Sequence, residues 1–152
     1  MRYFFDTSAI AKLFHVEKGT PQAISIFRQP ERQIIISRLT LVELFSVAAI
    51  KFRTGEISNE ARQSYVRQVL VTIALGEILV MASQSEDFDQ AARLITNHGH
   101  LGLRTLDAIQ LAAALRQNTQ ASLDYFVCAD QRLASIARLV QLRTIEPSDS
   151  DT

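Results

Sequence analysis

Three consecutive isoleucines, Ile34 to Ile36, constrain the fold of this chain more than any other feature of its sequence. Successive side chains of a strand point to opposite faces, so an unbroken β-branched run predicts a strand buried on both faces. Such strands are typical of parallel sheets that carry helices on either side. The run therefore predicts an α/β protein with three layers, α/β/α, around a mainly parallel central sheet.

The rest of the chain alternates in the way that such a sheet requires. Short apolar runs predict further strands at 2–5, 78–80, 125–129 and within 139–145. Helical spacing predicts helices between the strands, at 9–14, 20–29, 37–53, 58–75, 83 or 85 to 97, 105–117 and 131–137. Thr20, with Pro21 at the first helical position after it, is predicted as an N-cap, and so is Ser37. Ser58 is predicted to open the next helix. The polar residues at 118–120 predict a break after the helix that begins at 105.

Length and composition predict one domain at residues 1–146, followed by a polar tail at residues 147–152. Apolar residues make up 47% of the chain and charged residues 21%, which is ordinary globular composition and argues against a disordered protein. The formal net charge is zero, so bulk charge gives no sign of a nucleic-acid or membrane partner.

The lone Cys128 excludes an internal disulfide and a cysteine-rich zinc site, and it fits a reducing compartment. The first residues lack a signal-peptide pattern, and no apolar run is long enough for a bilayer. We therefore expect a cytoplasmic protein with no membrane partner.

Two acidic residues come directly after predicted strands and before predicted helices. Asp6 ends the first apolar run, and Asp130 follows the run that contains Cys128. Aspartate is a favoured N-cap, so each residue has a purely structural explanation. The carboxyl ends of parallel strands are also where ligands bind in α/β sheets, so both residues are candidates for a functional site.

Two further acidic residues share helical stripes with apolar residues. Glu43 lies four residues from both Leu39 and Val47, which predicts that its carboxylate is at least partly buried. Asp107 lies four residues before Leu111 near the start of its helix. A salt bridge to an arginine would explain the burial of Glu43, and the helix dipole would explain Asp107.

In a parallel sheet these four acidic residues could converge at one edge. Their mutual repulsion would raise some of their pKa values unless a cation were present. A hard divalent cation such as Mg²⁺ or Mn²⁺ takes oxygen ligands and would neutralise them. Zinc does not fit, because nothing here resembles a His/Cys ligand pattern. His98 and His100 are interpreted as ordinary loop histidines.

The four acidic residues stand in motifs that resemble those of PIN-domain proteins, most closely the VapC-type toxin ribonucleases. The order and spacing of the motifs fit this family, and together they span nearly the whole chain. The matching stretches are Phe5-Asp6-Thr7-Ser8-Ala9, Ser37-Arg38-Leu39-Thr40-Leu41-Val42-Glu43-Leu44, Leu103-Arg104-Thr105-Leu106-Asp107-Ala108-Ile109-Gln110-Leu111-Ala112 and Val127-Cys128-Ala129-Asp130-Gln131-Arg132-Leu133.

The resemblance implies a PIN-like fold and an endoribonuclease that requires Mg²⁺ or Mn²⁺. It implies that Asp6, Asp107 and Asp130 bind the metal and that Glu43 does so directly or through water. Ser8 would support the first aspartate. One departure is Cys128, because many relatives carry serine or threonine there and a thiol is a poor hydrogen-bond donor.

The resemblance also implies an RNA substrate, a homodimer, and a cognate antitoxin that covers the active site. Arg38, Arg104 and Arg132 each flank an acidic motif and could contact RNA phosphates. They could equally pair with neighbouring carboxylates or reach solvent. The helix at 37–53 is apolar on more than one face, which favours packing against something besides its own sheet.

Three other interpretations compete with the nuclease. A haloacid-dehalogenase-like phosphatase needs a second aspartate two residues after the first, where this chain has Ser8. A response-regulator receiver domain needs a late lysine, and none follows Lys51. A non-catalytic PIN-like module that binds RNA or protein is disfavoured only because all four acidic residues are present.

Overall fold

The computed structural model describes residues 1–148 of the chain. The strands are β1 (Arg2–Phe5), β2 (Gln33–Ser37), β3 (Ile78–Met81), β4 (Tyr125–Val127) and β5 (Thr144–Ile145). They form one five-stranded sheet in the order β3-β2-β1-β4-β5, and every neighbouring pair is parallel. The predicted parallel sheet is confirmed, with β1 as its central strand.

Helices connect the strands as the alternating pattern predicts. They are α1 (Thr7–Ile10), α2 (Thr20–Phe27), α3 (Arg38–Arg53), α4 (Asn59–Ala74), α5 (Ser85–His98), α6 (Thr105–Ala121) and α7 (Gln131–Leu139). Two single turns of 3₁₀ helix, Ala11–Leu13 and Gly99–Leu101, complete the regular structure of the described residues. None of the helices within residues 1–148 is long and apolar enough to span a membrane.

The two faces of the sheet carry separate apolar cores. Phe4, Ile35 and Phe126 belong to the core beneath α5, α6 and α7. Tyr3 and Phe5 point the other way, into the core shared with α1 to α4. Because adjacent residues of β1 are buried on opposite sides, the three-layer α/β/α prediction is confirmed.

The predicted N-cap at Thr20 is wrong. The residue that precedes α2 is Gly19, whose φ of +84° suits glycine. A Cβ atom at this position would also lie 2.3 Å from the carbonyl oxygen of Pro147. Thr20 is the first helical residue, and its hydroxyl donates to the carbonyl of Lys12 at 3.2 Å. The competing tertiary hydrogen bond explains why a capping residue does not cap.

The beginning of the predicted tail packs against α2. Pro147 is buried, and the amide of Ser148 donates to the side chain of Gln22 at 2.9 Å. Residues 149–152 of that tail lie outside the described residues.

The predicted break at residues 118–120 is also wrong, because α6 continues to Ala121. Thr119 stays helical and donates its hydroxyl to the carbonyl of Leu115. Asn118 accepts the amide of Leu123 at 2.8 Å, so its side chain helps to end the helix from within. Polar residues on the exposed face of a helix do not stop it, which is why this local signal misleads.

Two other boundaries differ from the prediction by a few residues. The strand predicted at 125–129 ends at Val127, because the amide of Ala129 donates to the Ser8 hydroxyl instead of a neighbouring strand. The helix predicted to start at Ser83 or Ser85 has Gln84 as its N-cap, with Asp87 accepting the Gln84 amide.

Ser58 caps α4 as its sequence position predicts. Its hydroxyl accepts the amide of Ala61 at 3.1 Å on an exposed part of the surface. Ser58→Ala is expected to lower the free energy of unfolding by about 1 kcal/mol, because the amide loses its acceptor. Urea denaturation measures this loss, and Ser58→Asp, which keeps an acceptor, should recover most of it. An equal loss in both variants would contradict the capping role.

Candidate metal centre

The structure brings the four acidic residues predicted as a site to the carboxyl edge of the sheet. Asp6 directly follows β1, and Asp130 lies just beyond β4. Glu43 lies in the second turn of α3, and Asp107 lies in the first turn of α6. The charges of Asp107 and Glu43 act on Asp6, while Arg104 joins Asp107 to Asp130.

Asp6 is the most buried of these residues, with 5% of its surface exposed. It caps α1, because its Oδ2 atom accepts the Ser8 amide at 3.0 Å and the Ser8 hydroxyl at 2.6 Å. Burial raises the pKa of the Asp6 carboxyl from 3.8 to about 6, although the Ser8 hydrogen bonds oppose that shift. Repulsion from Asp107 and Glu43 makes a smaller contribution to the same rise in pKa. Capping and a concentrated negative charge therefore coexist at this position.

Ser8 and Cys128 support Asp6 from below. The Ser8 hydroxyl donates to Asp6 and accepts the amide of Ala129 at 2.9 Å, which ties the ends of β1 and β4 together. The Cys128 sulfur lies 3.8 Å from Oδ2 of Asp6 and 3.4 Å from the carbonyl oxygen of Asp130. Burial raises the pKa of the thiol, and the Asp6 carboxylate raises it further, so Cys128 stays protonated. The thiol therefore contacts the groups that a serine hydroxyl would contact at this position, but it is a weaker hydrogen-bond donor.

Glu43 is held by polar side chains from two other helices. Its Oε1 atom accepts the Thr7 hydroxyl at 2.9 Å and the Gln110 side-chain amide at 2.6 Å. The fully buried stripe of α3 consists of Thr40, Leu44 and Ala48. Glu43 lies at the margin of that stripe and is half-buried, so its carboxylate borders both the core and the acidic edge.

Arg104 is the cation that the structure places on the acidic edge. Its Nε atom donates to Oδ2 of Asp107 at 2.7 Å, and its Nη2 atom donates to Oδ2 of Asp130 at 3.2 Å. The Arg104 side chain is 63% exposed, so solvent screens both ion pairs. Asp130 also caps α7, because its Oδ1 atom accepts the amides of Arg132 and Leu133.

One sequence family accounts for the order of these elements. The profile of the family described as PIN domain matches residues 3–139 of the 152-residue chain. The chain belongs to the PIN domain family. The family predicted from the four motifs is thereby confirmed, although no curated protein matches the sequence.

Solved structures of low identity share the fold of this PIN domain. The chain is similar to the sarcin-ricin loop cleaving toxin VapC20 of Mycobacterium tuberculosis, with a TM-score of 0.68, 16% identity, and coverage of 95% of this chain and 99% of that one. It is similar to VapBC2 of Rickettsia felis bound to a promoter DNA fragment, with a TM-score of 0.64, 16% identity, and coverage of 96% and 98%. FitAcB of Neisseria gonorrhoeae gives a TM-score of 0.64 and 15% identity, with coverage of 95% and 97%.

The acidic residues of this PIN domain offer oxygen ligands of the kind that a divalent cation takes. Within residues 1–148, no group of three His, Cys, Asp or Glu side chains is already placed so that it could hold a metal ion. Arg104 also bonds to oxygens that a cation would use on Asp107 and Asp130. The hydrogen bonds in the described chain engage Oδ2 of Asp6 and Oε1 of Glu43, so each carboxylate has a second oxygen left for a ligand. A set of carboxylate oxygens suits Mg²⁺ or Mn²⁺, provided that Arg104 moves aside.

The three predicted phosphate contacts lie in different surroundings. Arg104 pairs with the two aspartates, as its alternative interpretation predicted. Arg132 is exposed, and its Nη1 atom donates to the carbonyl of Gly102 at 3.3 Å. Arg38 is exposed at the first turn of α3. All three side chains therefore flank the acidic edge on its solvent side.

A cavity of about 310 Å³ opens beside the acidic edge, between Thr7 and Ser8 on one side and the loop after the first 3₁₀ turn on the other. Lys12, His15 and Lys51 line it, and Asp130 closes one end. Glu56 joins two of these side chains at the mouth of the cavity. Its Oε1 atom accepts a hydrogen bond from Nζ of Lys51 at 2.5 Å and lies 3.1 Å from Nε2 of His15. Sequence reasoning did not find these basic residues, because only the fold brings them beside the acidic motifs.

Gln110 and Thr7 were also missed as site residues. Both lie inside the quoted motifs, yet neither carries a charge that would single it out. A signal for Gln110 was present: it is the one polar residue in the run Ala108–Ala114, and it lies three residues after Asp107. That spacing puts the two side chains on one face of a helix.

Proposed function

We propose that this PIN domain is a divalent-metal-dependent endoribonuclease and the toxin of a type II toxin–antitoxin pair. The proposal rests chiefly on Asp6, a buried carboxylate at the end of the central strand on which the charges of Glu43 and Asp107 act. Burying an ionised carboxylate next to two others is unfavourable, so the arrangement calls for a cation. The similarity to a toxin described as cleaving the sarcin-ricin loop supports RNA as the substrate.

The acidic residues would hold Mg²⁺ or Mn²⁺, with Asp6, Asp107 and Asp130 as ligands and Glu43 binding directly or through water. Such an ion, when bound, lowers the pKa of a water molecule and stabilises charge on phosphate oxygens. Ser8 fixes the orientation of Asp6 through its hydroxyl and amide. Hydrolysis of the phosphodiester bond would then need no covalent bond between protein and RNA.

Arginine side chains would hold the RNA backbone at this edge. Arg104 offsets part of the charge of Asp107 and Asp130 in the metal-free protein. Once a cation takes over that charge, the exposed guanidinium is free to bond to a phosphate, as are those of Arg38 and Arg132. His15 and Lys51 in the neighbouring cavity would extend this contact to the next phosphates of the strand.

RNA cleavage by the purified protein tests the proposal. We expect RNA of mixed sequence to be cut in Mn²⁺ or Mg²⁺, and we expect cleavage to stop when EDTA removes the metal. Asp107→Asn protein purified in the same way controls for a contaminating ribonuclease. If RNA remains intact with well-folded protein in Mn²⁺, or is cut equally well in EDTA, the proposal is wrong.

One observation favours a non-catalytic RNA- or protein-binding module as a second candidate. The ion pairs of Arg104 already offset part of the acidic charge without any metal. A binding module would retain RNA in a filter-binding assay and release it uncut in Mn²⁺. The nuclease predicts shortened products under the same conditions.

The proposed biological setting is the cytoplasm, with a cognate antitoxin and a second copy of this chain as partners. Structures similar to this chain include toxin–antitoxin complexes from several bacteria, which supports an antitoxin. Val42, Ile50 and Phe52 of α3 are exposed, which supports an additional packing partner for that helix. Co-expression with the product of the adjacent reading frame, followed by size measurement in solution, tests both partners.

A further inference from the structure

Gln110 is a buried polar residue in a helix whose neighbouring positions are apolar. Only 1% of its surface is exposed, and it lies between Ile109 and Leu111 in the middle of the run Ala108–Ala114. Burying an amide side chain is costly unless its hydrogen-bonding groups find partners. A leucine would fill a similar volume at this position without that requirement, so the amide calls for a specific explanation.

The Gln110 amide makes four hydrogen bonds, which is its full capacity. Its Oε1 atom accepts the hydroxyls of Ser37 and Thr40, both at 2.8 Å. Its Nε2 atom donates to the Thr7 hydroxyl at 3.0 Å and to Oε1 of Glu43 at 2.6 Å. The opposite orientation of the amide would set an oxygen against the Glu43 carboxylate, so the network permits only one orientation.

These partners come from three parts of the fold that meet at the acidic edge. Ser37 ends β2 and caps α3, Thr40 and Glu43 lie on α3, and Thr7 begins α1. Gln110 reaches all of them from α6, one turn after Asp107. One side chain therefore fixes the distance between the helix that carries Glu43 and the helix that carries Asp107.

We infer that Gln110 is a positioning residue, which holds the Glu43 carboxylate so that its second oxygen faces the metal site. This inference rests on the proposed function, because it assigns Glu43 a cation to face. Gln110 and Thr7 both donate to Oε1 of Glu43, which holds that oxygen in place, and no hydrogen bond among the described residues engages Oε2. Partners behind a metal ligand commonly control its affinity for the ion in this way.

Titration of the metal-free protein with Mn²⁺ tests the inference. The electron paramagnetic resonance signal of the free ion decreases as the protein binds it, so the signal gives the dissociation constant. We expect Gln110→Met to weaken Mn²⁺ binding by about 10- to 100-fold at a temperature where the variant is folded. The matched control is Gln117→Met, which changes another buried glutamine two turns further along α6. That variant should keep the wild-type dissociation constant within about two-fold.

A second comparison shows whether Gln110 acts through Glu43. In a Glu43→Ala background there is no carboxylate to position, so Gln110→Met should change Mn²⁺ affinity by no more than about two-fold. A Gln110→Met dissociation constant close to that of the wild type would overturn the inference, as would an equal loss in both backgrounds. If the wild-type protein binds no Mn²⁺, the proposed function fails, and the inference fails with it.

Nuclear magnetic resonance keeps the test available if Gln110→Met does not fold. We expect the side-chain amide signals of Gln110 in the wild-type protein to shift when Mg²⁺ is added, while those of Gln117 stay in place. If the backbone signal of Asp6 shifts with Mg²⁺ and the Gln110 amide signals do not, the Gln110 side chain is not coupled to metal binding and the inference is wrong.

Discussion

Asp6→Asn is expected to slow RNA cleavage by more than about 100-fold. Residues that only support a metal ligand commonly change affinity or activity by about 10- to 100-fold, so loss of a ligand should exceed that range. Asparagine keeps an oxygen that can accept the Ser8 amide and hydroxyl, so the cap of α1 should survive. Initial cleavage rates at saturating Mn²⁺, compared between wild type and variant, measure the effect.

Asp89→Asn provides the matched control, because Asp89 is an exposed aspartate on α5 outside the acidic edge. Its cleavage rate should equal that of the wild type. An Asp6→Asn protein that is folded and cuts RNA at the wild-type rate would remove Asp6 from the site.

The same substitution is expected to stabilise the metal-free protein by up to about 3 kcal/mol at neutral pH. The pKa of Asp6 rises from 3.8 to about 6 on folding, mainly because the carboxylate is buried. Each pKa unit corresponds to about 1.4 kcal/mol, so ionised Asp6 opposes folding by roughly that total. Asparagine has no charge to bury, and the opposition disappears. Loss of activity together with gain of stability is the signature of a residue kept for function.

The burial of Asp6 makes the free energy of unfolding depend on pH. Between pH 3.8 and about 6 the folded protein holds a proton on Asp6 that the unfolded chain releases. The contribution of Asp6 to stability is therefore full below that interval and is lost as the pH rises through it. Urea denaturation in EDTA across this interval should show that loss in the wild type and not in Asp6→Asn. Equal pH dependence in the two proteins would contradict the burial of this charge.

The layered fold could be predicted because both of its determinants are local. The continuous apolar run at Ile34–Ile36 requires cover on two faces, and the helical patterns between strands supply that cover. Helix ends were harder to predict, since tertiary hydrogen bonds compete with local capping. Thr20 bonds to Lys12 instead of capping, and Asn118 lies within α6 although it looks like a break.

The acidic residues of the candidate site could be predicted from their charge and from their positions relative to the predicted strands and helices. Asp6 and Asp130 follow strands, and parallel strands bring their ends together regardless of separation in sequence. The contacts of Gln110 could not be predicted, because they depend on how α6 lies against α1 and α3. For Arg104, pairing with neighbouring carboxylates was one of the predicted alternatives. The sequence shows Gln110 as a lone polar residue between Ile109 and Leu111, but it does not show which groups the amide contacts.

Direct binding of Mn²⁺ by the metal-free protein tests whether these four carboxylates form one cation site. Electron paramagnetic resonance should show saturable loss of the free Mn²⁺ signal in the wild type, because the acidic edge concentrates negative charge around oxygen ligands. The signal should return in Asp6→Asn and in Asp107→Asn, and Asp89→Asn should behave as the wild type. If the wild type leaves Mn²⁺ free, or if it binds the ion as tightly after Asp6 and Asp107 are replaced, these residues do not form a metal centre.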